Sequence, residues 1–263
     1  MIANSPAAAG TAASNRAIFL LLATALFVIG MGAFVVVGIL TPMAGALAIS
    51  PATAGWAMTA YALVYAVASP LLVALTGAIE RKTVVLAGLA IFTSGAVIAA
   101  LAPAFWMVLA GRGVMAVGGG LVTPVAASIA AGLAAPADRG RALATVFGGL
   151  TLAQVLGVPA GAWLGYAVGW QAAFWAVAVL GLIVTLALSR LIPRGISVPG
   201  ASLAALGQVL ASPLHLGAVA FGVLFLSGIY CVYTFIGALL ETRLGLERDG
   251  ISTMLLIFGI GAV

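Results

Sequence analysis

Ala17–Leu40 reads AIFLLLATALFVIGMGAFVVVGIL, a run without a single charged residue. An α-helix rises about 1.5 Å per residue, so a run of this length reaches across a hydrocarbon core about 30 Å thick. The run is continuous rather than alternating, which favours a spanning helix and rejects the strand of a transmembrane barrel. Working outward, the same pattern recurs at Gly55–Leu75, Thr83–Leu101, Phe105–Ala134, Ala142–Trp163, Val168–Leu191 and Leu216–Leu240. An eighth run opens at Ile251 and reaches only to Val263, where the sequence stops. The fold class is therefore an all-α polytopic membrane protein.

Composition agrees with the runs. Of 263 residues, 65% are hydrophobic and 6% charged, where a soluble domain has about 45–50% and about 25%. Mean hydropathy is +1.32. So few polar groups cannot cover a soluble surface. A soluble enzyme, a disordered chain and a nucleic-acid binder are excluded, and the bilayer becomes the first partner. Cys231 is the sole cysteine and His215 the sole histidine, so neither a disulfide framework nor a metal site is expected. No Ser/His/Asp set and no phosphate-binding glycine loop followed by lysine is visible, and no cofactor or enzymatic activity is expected.

Charge sets the expected orientation. Residues 1–16 form a small, polar, Ala-rich tail, and the run after Arg16 is too long for a cleaved signal peptide, whose apolar region spans about 7–15 residues. With the N-terminus inside, Arg16, Arg81, Lys82, Arg139, Arg141, Arg190 and Arg194 are cytoplasmic, while only Arg243 and Arg248 are outside. That bias predicts a cytoplasmic N-terminus. Residues 192–215 form the longest polar connection, dividing six runs (17–191) from the remaining segment (216–263). Two bundles joined by a cytoplasmic linker is a transporter layout.

Several residues stand out from the apolar background. Gly157, Gly161 and Gly165 recur every four residues and share a helical face, with Pro159 between them. Small residues at that spacing allow close helix approach, and the proline predicts a bend. Arg112 lies roughly 10 Å into its run, counted from Phe105 at 1.5 Å per residue. A charge at that depth either faces a cavity or partner, or snorkels outward beside Trp106. Tyr61 with Tyr65, Thr151 with Gln154, and Ser227 with Tyr230 and Thr234 form polar stripes. Such stripes either line a cavity that binds an amphipathic solute or serve as helix contacts. His215 sits at the linker end of the seventh run, where an interfacial role is expected. The turn Gly77-Ala78-Ile79-Glu80-Arg81-Lys82-Thr83 holds a compact cluster of charge.

These features resemble one known family. The stretch ALATVFGGLTLAQVLGVPAGAWLGYAVGWQAAF, Ala142–Phe174, is similar to the fifth span and the start of the sixth in the major facilitator superfamily. The similarity is closest to its bacterial drug- and sugar-efflux branch of proton antiporters, which includes arabinose-efflux-like permeases. It covers about residues 17–263 and implies the N-terminal six-helix half plus the start of the second. Gly157-Val158-Pro159 resembles the antiporter motif, although the family's glycine and proline are adjacent. Arg112 with Gly118-Gly119-Gly120 resembles the family's fourth-span arginine motif, which implies a role in coupling. Glu80 and Arg81 resemble the acid and basic residue of the signature loop, which implies a gate; Gly77 lies one place too close and the later Gly-Arg pair is missing. In the first span Ala33 of Gly32-Ala33-Phe34-Val35 stands where many members of the branch carry an acid.

The resemblance implies a transporter in a bacterial inner membrane that exports a small organic solute, drug-like or sugar, by alternating access. Protons as coupling ion follow from the resemblance alone, because no Asp or Glu falls inside the runs so delimited. Two rivals remain: a non-transporting membrane scaffold or inactive transporter fragment, and a channel, for which no charged ring or filter is visible. No protein partner is indicated. The family has twelve spans, so the short eighth run predicts a truncated product or an incomplete reading frame.

Overall fold

The computed structural model describes residues 6–192, 195 and 203–261, which form helices joined by short turns, with no strand among them. Arg194, Val263 and part of the polar connection lie outside the described residues. Helix α1 runs Pro6–Ala46, so the helix begins inside the stretch 1–16 that its composition marks as a tail. It is followed by α2 (Pro51–Leu75), α3 (Arg81–Ala100) and α4 (Phe105–Leu133). A 3₁₀ turn at Pro136–Asp138 leads into α5 (Arg139–Leu152), a π turn (Ala153–Gly157) and α6 (Val158–Ala167). Then come α7 (Trp170–Leu191), α8 (Leu203–Ala211), α9 (Pro213–Tyr233), α10 (Ile236–Leu244) and α11 (Arg248–Gly261).

Local chemistry explains several boundaries. Ser50 caps α2 by accepting from the Thr53 backbone N–H at 3.0 Å, and Pro51 fills the first turn, where no amide donor is needed. The bend expected at Pro159 takes the form of the π turn just before it. A proline cannot donate to the carbonyl four residues earlier, here Val155, and the wider turn absorbs that loss. Between α6 and α7 the chain reverses at Gly169, whose φ of +128° only glycine tolerates readily.

Seven stretches of the described chain are long and apolar enough to cross a membrane: Asn15–Ala46, α2, α3, α4, Pro136–Ala167, α7 and Pro213–Leu244. The fifth joins α5 to α6, and the seventh joins α9 to α10. The seven expected runs are all present. Helix α11, with 14 residues, is the eighth and shorter one. Successive spans run antiparallel. Turns at 47–50, 101–104, 168–169 and 245–247 therefore share one end, called upper here, and turns at 76–80 and 134–138 share the lower end. One boundary corrects the sequence reading. The seventh span continues through Glu241 to Leu244, because α10 does not end until Gly245 adopts a left-handed φ of +63°. Glu241 therefore lies near the end of a continuous helical stretch of 32 residues.

Helix α1 is the hub. Its Leu22, Leu26, Ile29, Val36, Ile39 and Leu40 are at most 2% exposed, and it packs against α2, α4, α5, α6 and α7. The glycine stripe lies against α1. A Cβ on Gly157 would stand 3.0 Å from Met31, and Cβ atoms on Gly161 and Gly165 would press on Val35 and Ile39. Three glycines at i, i+4 and i+8 thus receive three α1 side chains at the same spacing. Helix α11 packs on α6 and the π turn through Ile251, Leu255 and Gly259, again four apart.

Candidate functional site

Arg112 is fully buried. It does not snorkel towards Trp106, which is 69% exposed. Its Nε donates to the Ala57 carbonyl at 3.0 Å and its Nη2 to the Ala33 carbonyl at 2.8 Å, while Nη1 donates to the carbonyl of Gly32. Nη2 also lies 3.7 Å from the Met58 sulfur. The guanidinium stands over the Tyr61 ring, 4.4 Å from its centroid. A desolvated cation is costly unless its donors are used and its charge is met. Here backbone carbonyls of α1 and α2 and an aromatic face meet it.

The site thus falls on the Gly32-Ala33 stretch, where the resemblance singled out a missing acid. The carbonyl dipoles of that stretch, instead of a carboxylate, receive the arginine. Tyr65 stacks on Tyr61 with centroids 5.9 Å apart and planes at 24°. The Tyr61 hydroxyl is buried without a hydrogen-bond partner among the described residues. It lies against Gly119, where a Cβ would stand 2.7 Å from the oxygen. Arg112, Tyr61, Tyr65 and Gly119 therefore form one cluster.

Tyr230 lies on the other side of the same α1 segment. Its ring is parallel to that of Phe34, centroids 5.7 Å apart and planes at 4°. Tyr233 meets both edge-on, at 6.3 Å from Phe34 and 5.9 Å from Tyr230, and stacks on Phe258 of α11 at 5.0 Å. Three consecutive residues, Gly32 to Phe34, are thus gripped by α4 on one side and by the aromatic rings of α9 on the other.

The remaining expected residues lie elsewhere. Gln154 is half-buried in the π turn, whose backbone faces Gly259 of α11. Ser227 is exposed, and Thr234 donates its hydroxyl to the Tyr230 carbonyl at 2.7 Å. His215 is exposed. In the lower loop Arg81 is 3% exposed and donates to the carbonyl of Gly77. Glu80 accepts from the Thr83 hydroxyl at 3.2 Å and from the Gly195 N–H at 2.7 Å, and Lys82 donates to the Ile192 carbonyl at 2.6 Å. The loop therefore ties the α2–α3 turn to the lower end of the sixth span. A groove of about 580 Å³ opens at this same end between Arg16 and Phe19 of α1 and Arg141 and Thr145 of α5. None of the expected cavity residues lines it.

Two arrangements escaped the sequence reading. On α3, Gly88 and Gly95 meet Gly118 and Gly111 of α4 so closely that a Cβ on Gly95 would stand 2.5 Å from the Met115 nitrogen and 2.8 Å from the Gly111 oxygen. Two glycines seven apart on each helix, two full turns, were the available signal. At the upper end Tyr166 of α6 donates to Glu241 of α10 at 2.9 Å, and Arg248 of α11 lies 5.2 Å from the Trp163 centroid.

Seven membrane-length helices, with the fully buried Arg112 between them, define a polytopic α-helical membrane protein. The sequence pattern of the Major Facilitator Superfamily matches residues 22–263, and the chain belongs to that superfamily. It is 34% identical over 253 residues to the uncharacterized MFS-type transporter YbcL of Bacillus subtilis (strain 168), covering 95% of this chain and 64% of that protein. It is 31% identical to the inner membrane transport protein YdhP of Escherichia coli (strain K12), covering 92% of this chain and 62% of that protein. A chloramphenicol resistance protein of Streptomyces lividans is 34% identical, with 92% and 63% covered. The chain thus spans a little under two thirds of the length of these relatives. Among solved structures, a bacterial homologue of the human lysosomal transporter Spinster, inward-facing and unoccupied, matches with a TM-score of 0.74 at 21% identity. That match covers 94% of this chain and 59% of that one, and it concerns the fold alone.

Proposed function

We propose that the protein is a secondary active transporter that exports a small organic solute from a bacterial cell by alternating access, driven by protons. The carrying observation is the shared grip on Gly32–Phe34. Any rocking of α9 against the first six spans moves Tyr230 and Tyr233 against Phe34, and so acts on the carbonyls that hold Arg112. Arg112 is then the coupling residue, and Tyr61, Tyr65 and Tyr230 its aromatic surroundings on the solute side. Gln154 lies where the fifth span meets α11. The chloramphenicol resistance protein among the relatives supports a lipophilic, drug-like solute.

In this reading residues 1–16 are cytoplasmic, 17–191 form the first bundle, 192–215 the cytoplasmic linker, and 216–263 the start of the second. Arg16, Arg81, Lys82, Arg139, Arg141 and Arg190 gather at the lower end, which supports a cytoplasmic lower face in an inner membrane. Gly77, Glu80 and Arg81 act as the lower gate, and Gly157, Pro159, Gly161 and Gly165 set the distance between the fifth span and α1. The test is export of chloramphenicol, and of a panel of lipophilic cations and sugars, from proteoliposomes with and without a pH gradient. Gradient-dependent movement of at least one is expected. Movement indifferent to the gradient sinks the proton coupling, and no movement of any sinks the transporter reading.

A further inference from the structure

The upper end of the bundle holds a polar contact that transport through the Arg112 cluster does not use. Glu241 is half-buried near the end of α10, and its carboxylate accepts the Tyr166 hydroxyl of α6 at 2.9 Å. Trp163, one turn before Tyr166 on the same helix, faces the Arg248 guanidinium of α11. Both contacts run from the fifth span to the seventh and eighth, across the divide between 17–191 and 216–263. We propose that Tyr166 and Glu241, backed by Trp163 and Arg248, form a latch that holds the upper end closed while Glu241 is ionised and lets it part when Glu241 takes up a proton. The inference rests on the alternating-access reading and names Glu241 as a positioning residue of that cycle.

The direction follows from the chemistry of the acceptor. A carboxylate accepts from a hydroxyl in a charge-assisted bond about twice as strong as a neutral one. Protonation removes the negative charge and leaves Tyr166 at best a neutral partner. The proton comes from, and returns to, the solution at the upper face. The latch needs only this exchange at the upper face, and so it senses pH there.

The titratable and charged groups on the elements packed against α10, or next to it in the chain, are few. Helix α6 presents Tyr166, and α11 presents Arg248, whose own acid is Asp249 at 2.9 Å. Helix α10 adds Arg243, and the turn after it adds Glu247. Helix α1, also packed against α10, carries no ionisable group near this end; Arg16, its one charge, is at the other. Among the described residues the contact of the Glu241 carboxylate is the Tyr166 hydroxyl, and Arg248 is held by Asp249 and Trp163.

The test measures the distance across the latch. Cys231 is replaced by serine, and spin labels are placed at Val168 and Leu244, which are 73% and 64% exposed and take no part in the contact. The protein is reconstituted in lipid nanodiscs and measured by pulsed dipolar spectroscopy at about pH 8 and about pH 4, on either side of the ordinary glutamate range. The parent is expected to show a short, narrow distribution at high pH and a longer, broader one at low pH. Glu241→Gln is expected to show the long distribution at both. Tyr166→Phe, which keeps the ring and removes the donor, checks the same step without touching the acid and should also lose the pH response. A pH response in Glu241→Gln equal to the parent's, or a parent that closes as pH falls, overturns the latch. The readout needs no solute, so it stands apart from the proteoliposome assay: failed transport with an intact pH response sinks the transporter and leaves the latch.

Discussion

Glycines in two parts of this molecule meet opposite surroundings. On α3 and α4, a Cβ on Gly95, Gly111 or Gly118 would collide with backbone of the partner helix, and one on Gly88 would stand 2.8 Å from the Val122 side chain. On α9, Gly217, Gly222 and Gly228 have none of the described residues within 4 Å of where a Cβ would stand. Both regions are apolar enough by sequence to cross a membrane. The difference is that lipid solvates apolar side chains as well as protein does, so only close backbone approach and dispersion select a helix contact in the membrane. In the first six spans glycine is the means of contact. On α9 the large residues Leu214, Phe221, Leu224 and Phe225 are 59–82% exposed, and among the described residues glycine there sets no contact.

The comparison is broken most severely at Gly118. Gly118→Ala puts a methyl group into the backbone of Gly88 and Phe92, which cannot move without shifting all of α3. We expect a loss at or above the upper end of the about 1–3 kcal/mol usual for overpacking, seen as failure to recover monodisperse protein in detergent. Normal yield and thermal midpoint would mean that α3 and α4 stand further apart than described.

Arg112→Met separates packing from function within the same region. Methionine fills much of the arginine volume, and replacing a buried ionic group by an apolar one is often neutral or stabilising. The thermal midpoint should hold while solute export falls to background. Arg112→Lys should restore only part, because a point charge cannot reach the Ala57 carbonyl and the Gly32–Ala33 pair together. Full export by the methionine variant reduces Arg112 to a packing element.

The spacing of these glycines shows how far the sequence could be read. Seven residues separate Gly88 from Gly95 and Gly111 from Gly118, and four separate Gly157, Gly161 and Gly165; both intervals return to one helical face. The α9 glycines stand five and six apart and do not. Spans and packing stripes are thus legible, because periodicity is written in side chains. The partners of Arg112 are not legible, since a backbone carbonyl has no letter of its own. The depth of Arg112 announced a partner, and the absence of acids left carbonyls unnamed. Glu241 was missed for a different reason. Its polar neighbours Thr242 and Arg243 look like a loop, and the true stop, Gly245, lies four residues further on.

A milder effect is expected at Gly157, where the obstruction is a flexible side chain. Gly157→Ala would bring its Cβ to 3.0 Å from Met31 Cγ, and the thioether can turn aside. The expected cost is about 1 kcal/mol, a thermal midpoint lower by about 2–4 °C. Gly157→Leu cannot be relieved in this way and should abolish export by separating the fifth span from α1.

The smallest effect is expected at Gly228, and it tests the exposed side of the comparison. Gly228 lies within α9, is exposed, and has open space where a Cβ would stand. Alanine is favoured over glycine in a helix interior by roughly 1 kcal/mol, mostly through lost freedom of the unfolded backbone. Gly228→Ala should therefore leave export unchanged and leave the thermal midpoint level or slightly higher. Its sign distinguishes two surroundings for α9 in the membrane. A face that meets only lipid accepts the methyl group, because acyl chains rearrange around it. A face that meets another helix through Gly228 rejects it, as α3 rejects one at Gly118. A midpoint lowered by several degrees would place a protein partner against α9 and would remove the contrast between the two sets of glycines.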